Sequence, residues 1–174
     1  MFMPHRPTID GYEFATTGAR LDGVWSLADF SRLRPALLSD AGEIEYSLKG
    51  VSDAQDRPAL QLTIRGALQL RCQRCLAPLE FPLRVESVLA LARSQAEIDA
   101  LPVEAEGPDW VVAGKGMEVH DLLEDELLLA VPYAPRHEHC AAQARTGTAA
   151  SFSPFAELRG MLGPGATDTR GKRS

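Results

Sequence analysis

A chain of 174 residues with an apolar fraction of 45% has material for one domain and a packed core. No apolar run reaches the 18 residues that span a bilayer, and Met1–Pro7 lacks the charged-then-apolar order of a secretory signal, so a cytoplasmic, non-membrane protein is expected. A formal net charge of −6 removes bulk attraction to phosphate backbones and leaves only a local basic patch for that role.

Residues 1 to about 24 carry Gly, Thr and Pro with little periodicity and read as an extended lead-in, with one short strand near Tyr12-Glu13-Phe14. Ser26 then precedes Leu27, Phe30, Leu33 and Leu37: an N-cap followed by one apolar face, with Pro35 ending the short helix near Leu33. From Gly42 the period becomes two. Ile44, Tyr46 and Leu48 alternate with Glu43, Glu45, Ser47 and Lys49, as in a half-buried strand. A turn region follows from Gly50 to Pro58.

The clearest pattern comes next. Leu60, Leu62, Ile64, Leu68, Leu70 and Cys72 occupy even positions, with a bend or bulge expected at Gly66. After Cys75 the parity reverses, and Leu79, Phe81, Leu83, Val85, Leu89 and Leu91 are odd. Two such runs joined by a short Pro-containing connection predict an antiparallel hairpin over about 59–72 and 79–92, with the Cys72–Cys75 knuckle at its tip.

Ser94 to Leu101 reads as a short helix and 102–108 as an acidic loop. Trp110-Val111-Val112 and Met117-Glu118-Val119, flanking Gly114-Lys115-Gly116, predict a second small hairpin. Asp121 to Val131 is the strongest helix pattern. Leu123, Leu127 and Val131 form a stripe widened by Leu122 and Leu129, Glu124, Asp125 and Glu126 supply a polar face, and Pro132 ends the helix. Residues 1–140 are thus expected to form a single domain, and 141–174 a mostly disordered tail. The tail holds one apolar helix near 154–162, with Phe155, Leu158 and Leu162 on one face for docking on a partner or on its own domain.

Cys72-Gln73-Arg74-Cys75 has the C-x2-C spacing of structural zinc sites, which take four Cys or His donors in a tetrahedron. His137-Glu138-His139-Cys140 supplies a second half. The candidate ligands are therefore Cys72, Cys75, Cys140 and His137, with His139 as the rival imidazole, and zinc is the metal such donors suit. The competing reading is small buried cysteines beside a surface loop of histidines. Three cysteines cannot all pair within one chain, which suits reduced thiols.

A redox C-x-x-C lowers its first thiol at a helix N-terminus, whereas this pair leads into Leu76-Ala77-Pro78 and a strand. The carboxylate run Glu124, Asp125, Glu126 reads as a solvated face, since no nucleophile motif or phosphate loop accompanies it. Arg71, Arg74 and Arg84, with Arg170-Gly171-Lys172-Arg173, are the candidates for a local basic patch, against a reading as solvated strand-face and tail residues.

Cys72-Gln73-Arg74-Cys75-Leu76-Ala77-Pro78 resembles the C-x-R-C-L knuckle of the bacterial YceD proteins, the large ribosomal RNA subunit accumulation proteins. Further segments agree in order. Asp121 to Pro132 resembles the family's acidic helix ending in proline, and Pro135, His137 and His139-Cys140 resemble its P-x-H loop and H-C end. Ser153-Pro154-Phe155-Ala156-Glu157-Leu158 is similar to its N-P-F-A-x-L island, with serine in place of asparagine, and Ser26 to Phe30 is similar to an N-terminal helix. Some relatives carry a second C-x-x-C near Cys140, where this chain has one cysteine. The resemblance covers about residues 20–162. It implies a role in synthesis, processing or stability of large-subunit ribosomal RNA, and no known reaction.

The expected fold is α+β: an antiparallel sheet with a long hairpin, short packing helices and a flexible C-terminal tail. The expected function is that of a non-enzymatic ribosome-biogenesis factor acting by binding. Its partner is a protein or a ribosomal assembly component, the acidic charge favouring a protein over direct RNA contact. The alternative is a thiol-disulfide or zinc-dependent enzyme, or a zinc-stabilised binding module.

Overall fold

The computed structural model describes residues 6–102 and 107–140. The tail expected at 141–174, with its helix near 154–162, lies outside them. Strand β1 is Thr8–Ile9, helix α1 Gly11–Thr16, β2 Arg20–Ser26, β3 Glu43–Ser52, β4 Pro58–Arg71 and β5 Pro78–Ala92. Helix α2 (Gln95–Asp99), β6 (Asp109–Val112), β7 (Met117–Glu118) and α3 (Val119–Ala130) follow. The main sheet has the order β2-β3-β4-β5-β6. Its first four strands are antiparallel, and β6 joins β5 in parallel. The α+β class is as expected, with this parallel edge added.

The long hairpin follows its sequence pattern. Leu60, Leu62, Ile64, Leu68, Leu70 and Cys72 are buried on β4, as are Leu83, Leu89 and Leu91 on β5. Each such leucine or isoleucine is worth about 1.5–3 kcal/mol relative to an exposed one, and a one-residue slip would turn the whole row to solvent. Register runs unbroken from Ala59↔Ala90 to Arg71↔Pro78, through Gly66↔Leu83. The expected bend or bulge at Gly66 is therefore absent. The glycine instead admits close approach of β3, since a Cβ there would lie 3.0 Å from the Glu43 carbonyl oxygen and 3.1 Å from Ile44 Cγ2. Beyond Gly66 the hairpin outruns β3. Among the described residues only a Ser39↔Gln69 bridge continues the sheet on that side, with Leu38 N–H donating to the Gln69 carbonyl at 2.7 Å.

Several local expectations are corrected. The stretch around Tyr12-Glu13-Phe14 is α1, not a strand, because the Asp10 carboxylate accepts from Glu13 N–H and caps a helical turn. The unpatterned lead-in also contains β2, an edge strand whose exposed Val24 and inward-facing Gly23 blur the alternation. Ser26 does cap, accepting from Ala28 N–H at 3.3 Å, but it starts only a 3-10 turn over Leu27–Asp29. The helix stops there because Glu124 takes the N–H groups of Arg32 and Leu33, which a longer helix would use internally. The predicted small hairpin is two unrelated strands: β6 pairs with β5, and β7 with β1.

Helix α3 begins two residues before its expected start and ends as expected before Pro132. Leu122, Leu123 and Leu127 are buried, whereas Leu129 is mostly exposed. The polar face is only part polar, since Glu124 and Glu126 are buried. Leu127→Ala removes a fully enclosed side chain. It is expected to cost about 2–5 kcal/mol of unfolding free energy in a denaturant titration.

Candidate metal centre

Cys72 is the next core-facing position after Leu68 and Leu70, so β4 itself delivers a sealed thiol to the hairpin tip. The chain then reverses tightly. Leu76 N–H donates to the Cys72 carbonyl at 2.9 Å, and Cys72 N–H to the Ala77 carbonyl at 3.0 Å. Leu76 takes a left-handed φ of 63°, unfavourable for a branched residue, which turns the backbone into β5 and leaves Cys75 facing Cys72 across the turn.

The opposite wall comes from the loop after α3. Pro132 prevents the helix from continuing. The Pro135 carbonyl accepts from Gln73 N–H at 2.8 Å, and His137 Nε2 lies 3.0 Å from the Pro78 carbonyl. The loop is thus fastened to both arms of the hairpin tip. A carbonyl only accepts, so Nε2 carries the proton in that hydrogen bond and Nδ1 keeps a lone pair. Nδ1 stands 3.4 Å from Cys75 Sγ.

Cys72, Cys75, His137 and Cys140 therefore meet, with one donor atom from each within 4.8 Å of the others. Tetrahedral zinc with thiolates at about 2.3 Å needs donors of this kind and proximity. The backbone-bonded imidazole also has the outer-shell support that zinc-binding histidines typically show. Three thiols and an oriented imidazole fit zinc. The rival His139 is exposed and is not among the four.

Electrostatics at the tip favour a thiolate. Burial opposes ionisation of Cys72, but N–H groups of Cys75, Arg74 and His137 and the Cys75 thiol outweigh it, bringing its pKa down to about 5. Burial pushes the Cys140 thiol up. The Arg74 guanidinium offsets part of that, while the neighbouring thiols reinforce it.

His120, Asp121 and Glu124 also lie within reach of one another. Most of their polar atoms already have partners, His120 Nε2 being the exception. Glu124 accepts from Arg32 N–H, Arg32 Nε and Leu33 N–H at 2.6, 2.9 and 3.2 Å. Burial pushes its carboxyl up, and the Arg32 and Leu33 donors outweigh this and hold it below the usual range. The His120 ring stacks on Phe30 at 4.7 Å and meets Trp25 edge-on at 5.0 Å. Asp125 is paired with Arg32 at 2.6 Å. Glu126 is pushed up chiefly by burial, with Asp109 and Asp125 adding to it. This acidic run anchors α3 to the residues after β2.

The basic candidates Arg71, Arg74 and Arg84 are all exposed, the first two beside the four donors and the third along β5. Arg170 to Arg173 lie outside the described residues. The fastening bonds Gln73–Pro135 and His137–Pro78 had no sequence signal, because their acceptors are backbone carbonyls. The proline after α3 and the P-x-H spacing marked only the loop.

The family model described as large ribosomal RNA subunit accumulation protein YceD matches residues 60–159. That span begins in β4 and contains both halves of the four-donor group. A curated protein of that name from Haemophilus influenzae is 27% identical over 130 residues, covering 72% of this chain and 74% of that protein. No solved structure matches the chain.

Proposed function

Because this chain belongs to the YceD family of large ribosomal RNA subunit accumulation proteins, we propose that it is a non-enzymatic cytoplasmic factor that binds an assembling large-subunit component and so supports the RNA's synthesis, processing or stability. The observation that carries this reading is the family match across the hairpin and its clamping loop. In our reading Cys72, Cys75, Cys140 and His137 hold zinc, which would fix the hairpin tip as a rigid binding surface. Residues 1–140 act as the domain, and the tail with its apolar segment near 154–162 reaches for the partner.

One observation favours a second reading, a thiol-disulfide enzyme: the low pKa of Cys72. Its full burial argues against attack on an external disulfide. The N–H groups that lower it would support a metal-held thiolate equally well. Thiol titration before and after chelation separates the two, because only a metal-held thiolate is unmasked by the chelator.

The test is co-purification of tagged full-length protein with and without ribonuclease. Large-subunit precursors are expected in the eluate. Deleting residues 150–174 is expected to weaken that recovery while leaving the melting temperature nearly unchanged. Loss of stability with intact recovery would instead place the apolar segment in the core, and absence of any ribosomal component would defeat the reading.

A further inference from the structure

The arginines of this acidic protein differ in whether a carboxylate pairs with them. Arg20, Arg32, Arg34 and Arg57 lie 2.8, 2.9, 3.0 and 2.6 Å from Asp22, Glu124, Asp40 and Asp53. Among the described residues, Arg65, Arg71, Arg74, Arg84 and Arg136 have no ion pair, and all five are exposed. Four of these belong to the β4–β5 hairpin, and the fifth to the loop fastened to its tip.

The sharpest feature is the register pair Arg65↔Arg84. Two guanidinium groups stand directly opposite on the outer sheet face, an arrangement that destabilises a sheet in isolation. Glu45 flanks Arg65 in the register and Glu86 lies two residues beyond Arg84, but neither forms an ion pair with them. Glu80 accepts from Gln69 Nε2 at 3.3 Å instead. From this pair to Arg71 the outer face carries Ala67 and Pro82, the hydrogen-bonded Gln69 and Glu80, and Pro78. Six residues of strand make this stretch about 20 Å long.

In the loop fastened to the hairpin tip Tyr133 is fully exposed, between Pro132 and the anchored Pro135. The two prolines limit the backbone freedom of this segment, so the ring is presented at low entropic cost. Unpaired arginines along the hairpin, with an exposed aromatic in the loop fastened to its tip, suit phosphates plus an unstacked base.

We propose that the outer face of the β4–β5 hairpin and the loop clamped to its tip bind single-stranded RNA, with Arg65, Arg84, Arg71, Arg74 and Arg136 meeting phosphates and Tyr133 stacking on a base. The net charge of −6 does not oppose this, because among the described residues five of the exposed cations without an ion pair lie on this hairpin and its clamping loop, with Lys49, Arg93 and Lys115 elsewhere. The inference rests on the proposed role in ribosomal RNA accumulation and names the partner that this surface fits.

The experiment is fluorescence anisotropy of the full-length protein with a labelled, unstructured RNA oligonucleotide across a salt series. The double variant R65Q/R84Q should bind several-fold more weakly at low salt. Its slope of log affinity against log salt should be shallower by up to about 1.4, at about 0.7 per lost phosphate contact. Its melting temperature should hold or rise as the repulsion is relieved, which a merely structural role would not produce. Tyr133→Ala should lose about tenfold or more in affinity with the salt slope unchanged.

Wild-type protein that fails to bind the oligonucleotide at low salt, or binding indifferent to both variants, would overturn the assignment. So would a ribonuclease-resistant complex with a ribosomal protein that the same variants abolish while wild type binds no RNA. Complementation of a strain lacking the gene separates the two levels. If wild type fails to restore large-subunit ribosomal RNA, the functional reading falls. If wild type and R65Q/R84Q/Y133A restore it equally, that reading stands and the RNA surface falls.

Discussion

Replacing Cys75 with serine is expected to empty the hairpin tip of metal. Metal analysis of purified protein should fall from about one zinc per chain to near none, since a structural site needs all four donors. The serine hydroxyl is not ionised at neutral pH and cannot replace a thiolate. The same loss is expected for Cys140→Ser, although that residue lies in a different loop, because its donor atom closes the same group. His139→Ala is the control: this exposed imidazole is not among the four, and zinc content should not change. A chelator should lower the melting temperature of wild type and leave the C75S variant unmoved. Far-ultraviolet circular dichroism should survive in both, because the sheet's leucine rows do not depend on the tip. Wild-type protein that neither carries zinc nor takes it up on addition would sink this assignment.

The second large effect concerns Glu124, which is 2% exposed yet accepts from Arg32 and Leu33. Glu124→Ala strands two backbone N–H groups and removes the partner of a guanidinium. A cost of about 3–5 kcal/mol is expected in denaturant unfolding. Glu124→Gln keeps an acceptor oxygen and should cost less. The folded-state pKa of Glu124 is depressed, so its contribution is fully present above the unfolded value of about 4.3 and is lost as pH falls through the folded value. Glu124→Gln should therefore flatten the acid limb of the stability curve below about pH 4.3. An unchanged acid limb would show that the ion pair contributes nothing there.

The same residue explains where sequence reading worked and where it did not. Alternation over 60–72 and 79–91 showed the hairpin and the placement of Cys72, because a period of two fixes which face is buried, while the pairing register, unbroken at Gly66, needed the structure. Spacing offered the two halves of the four-donor group, but that they meet, and that His137 and not His139 is the imidazole beside Cys75, needed the loop's bonds to the hairpin tip. Glu124 and Glu126 were misplaced because helical periodicity reports which side is apolar and does not reveal an arginine brought in from 92 residues away. The edge strand β2 was missed for a related reason. Its alternation is blurred by exposed Val24 and by Gly23, which leaves space for the Tyr46 ring. The β6–β5 pairing is parallel and non-sequential, and nothing local in Trp110-Val111-Val112 announces it.

The way the tip is closed has a bearing on how the chain assembles during synthesis. Strands β2 to β5 pair each with its neighbour in sequence, so they are able to zip up as they emerge. The thiol of Cys75 must wait for His137, 62 residues later. If the four donors hold zinc, its acquisition is a late event, available only to a chain whose helix α3 has already seated. Time-resolved zinc uptake during refolding should lag the sheet signal, and the tip would then mark finished molecules among nascent ones.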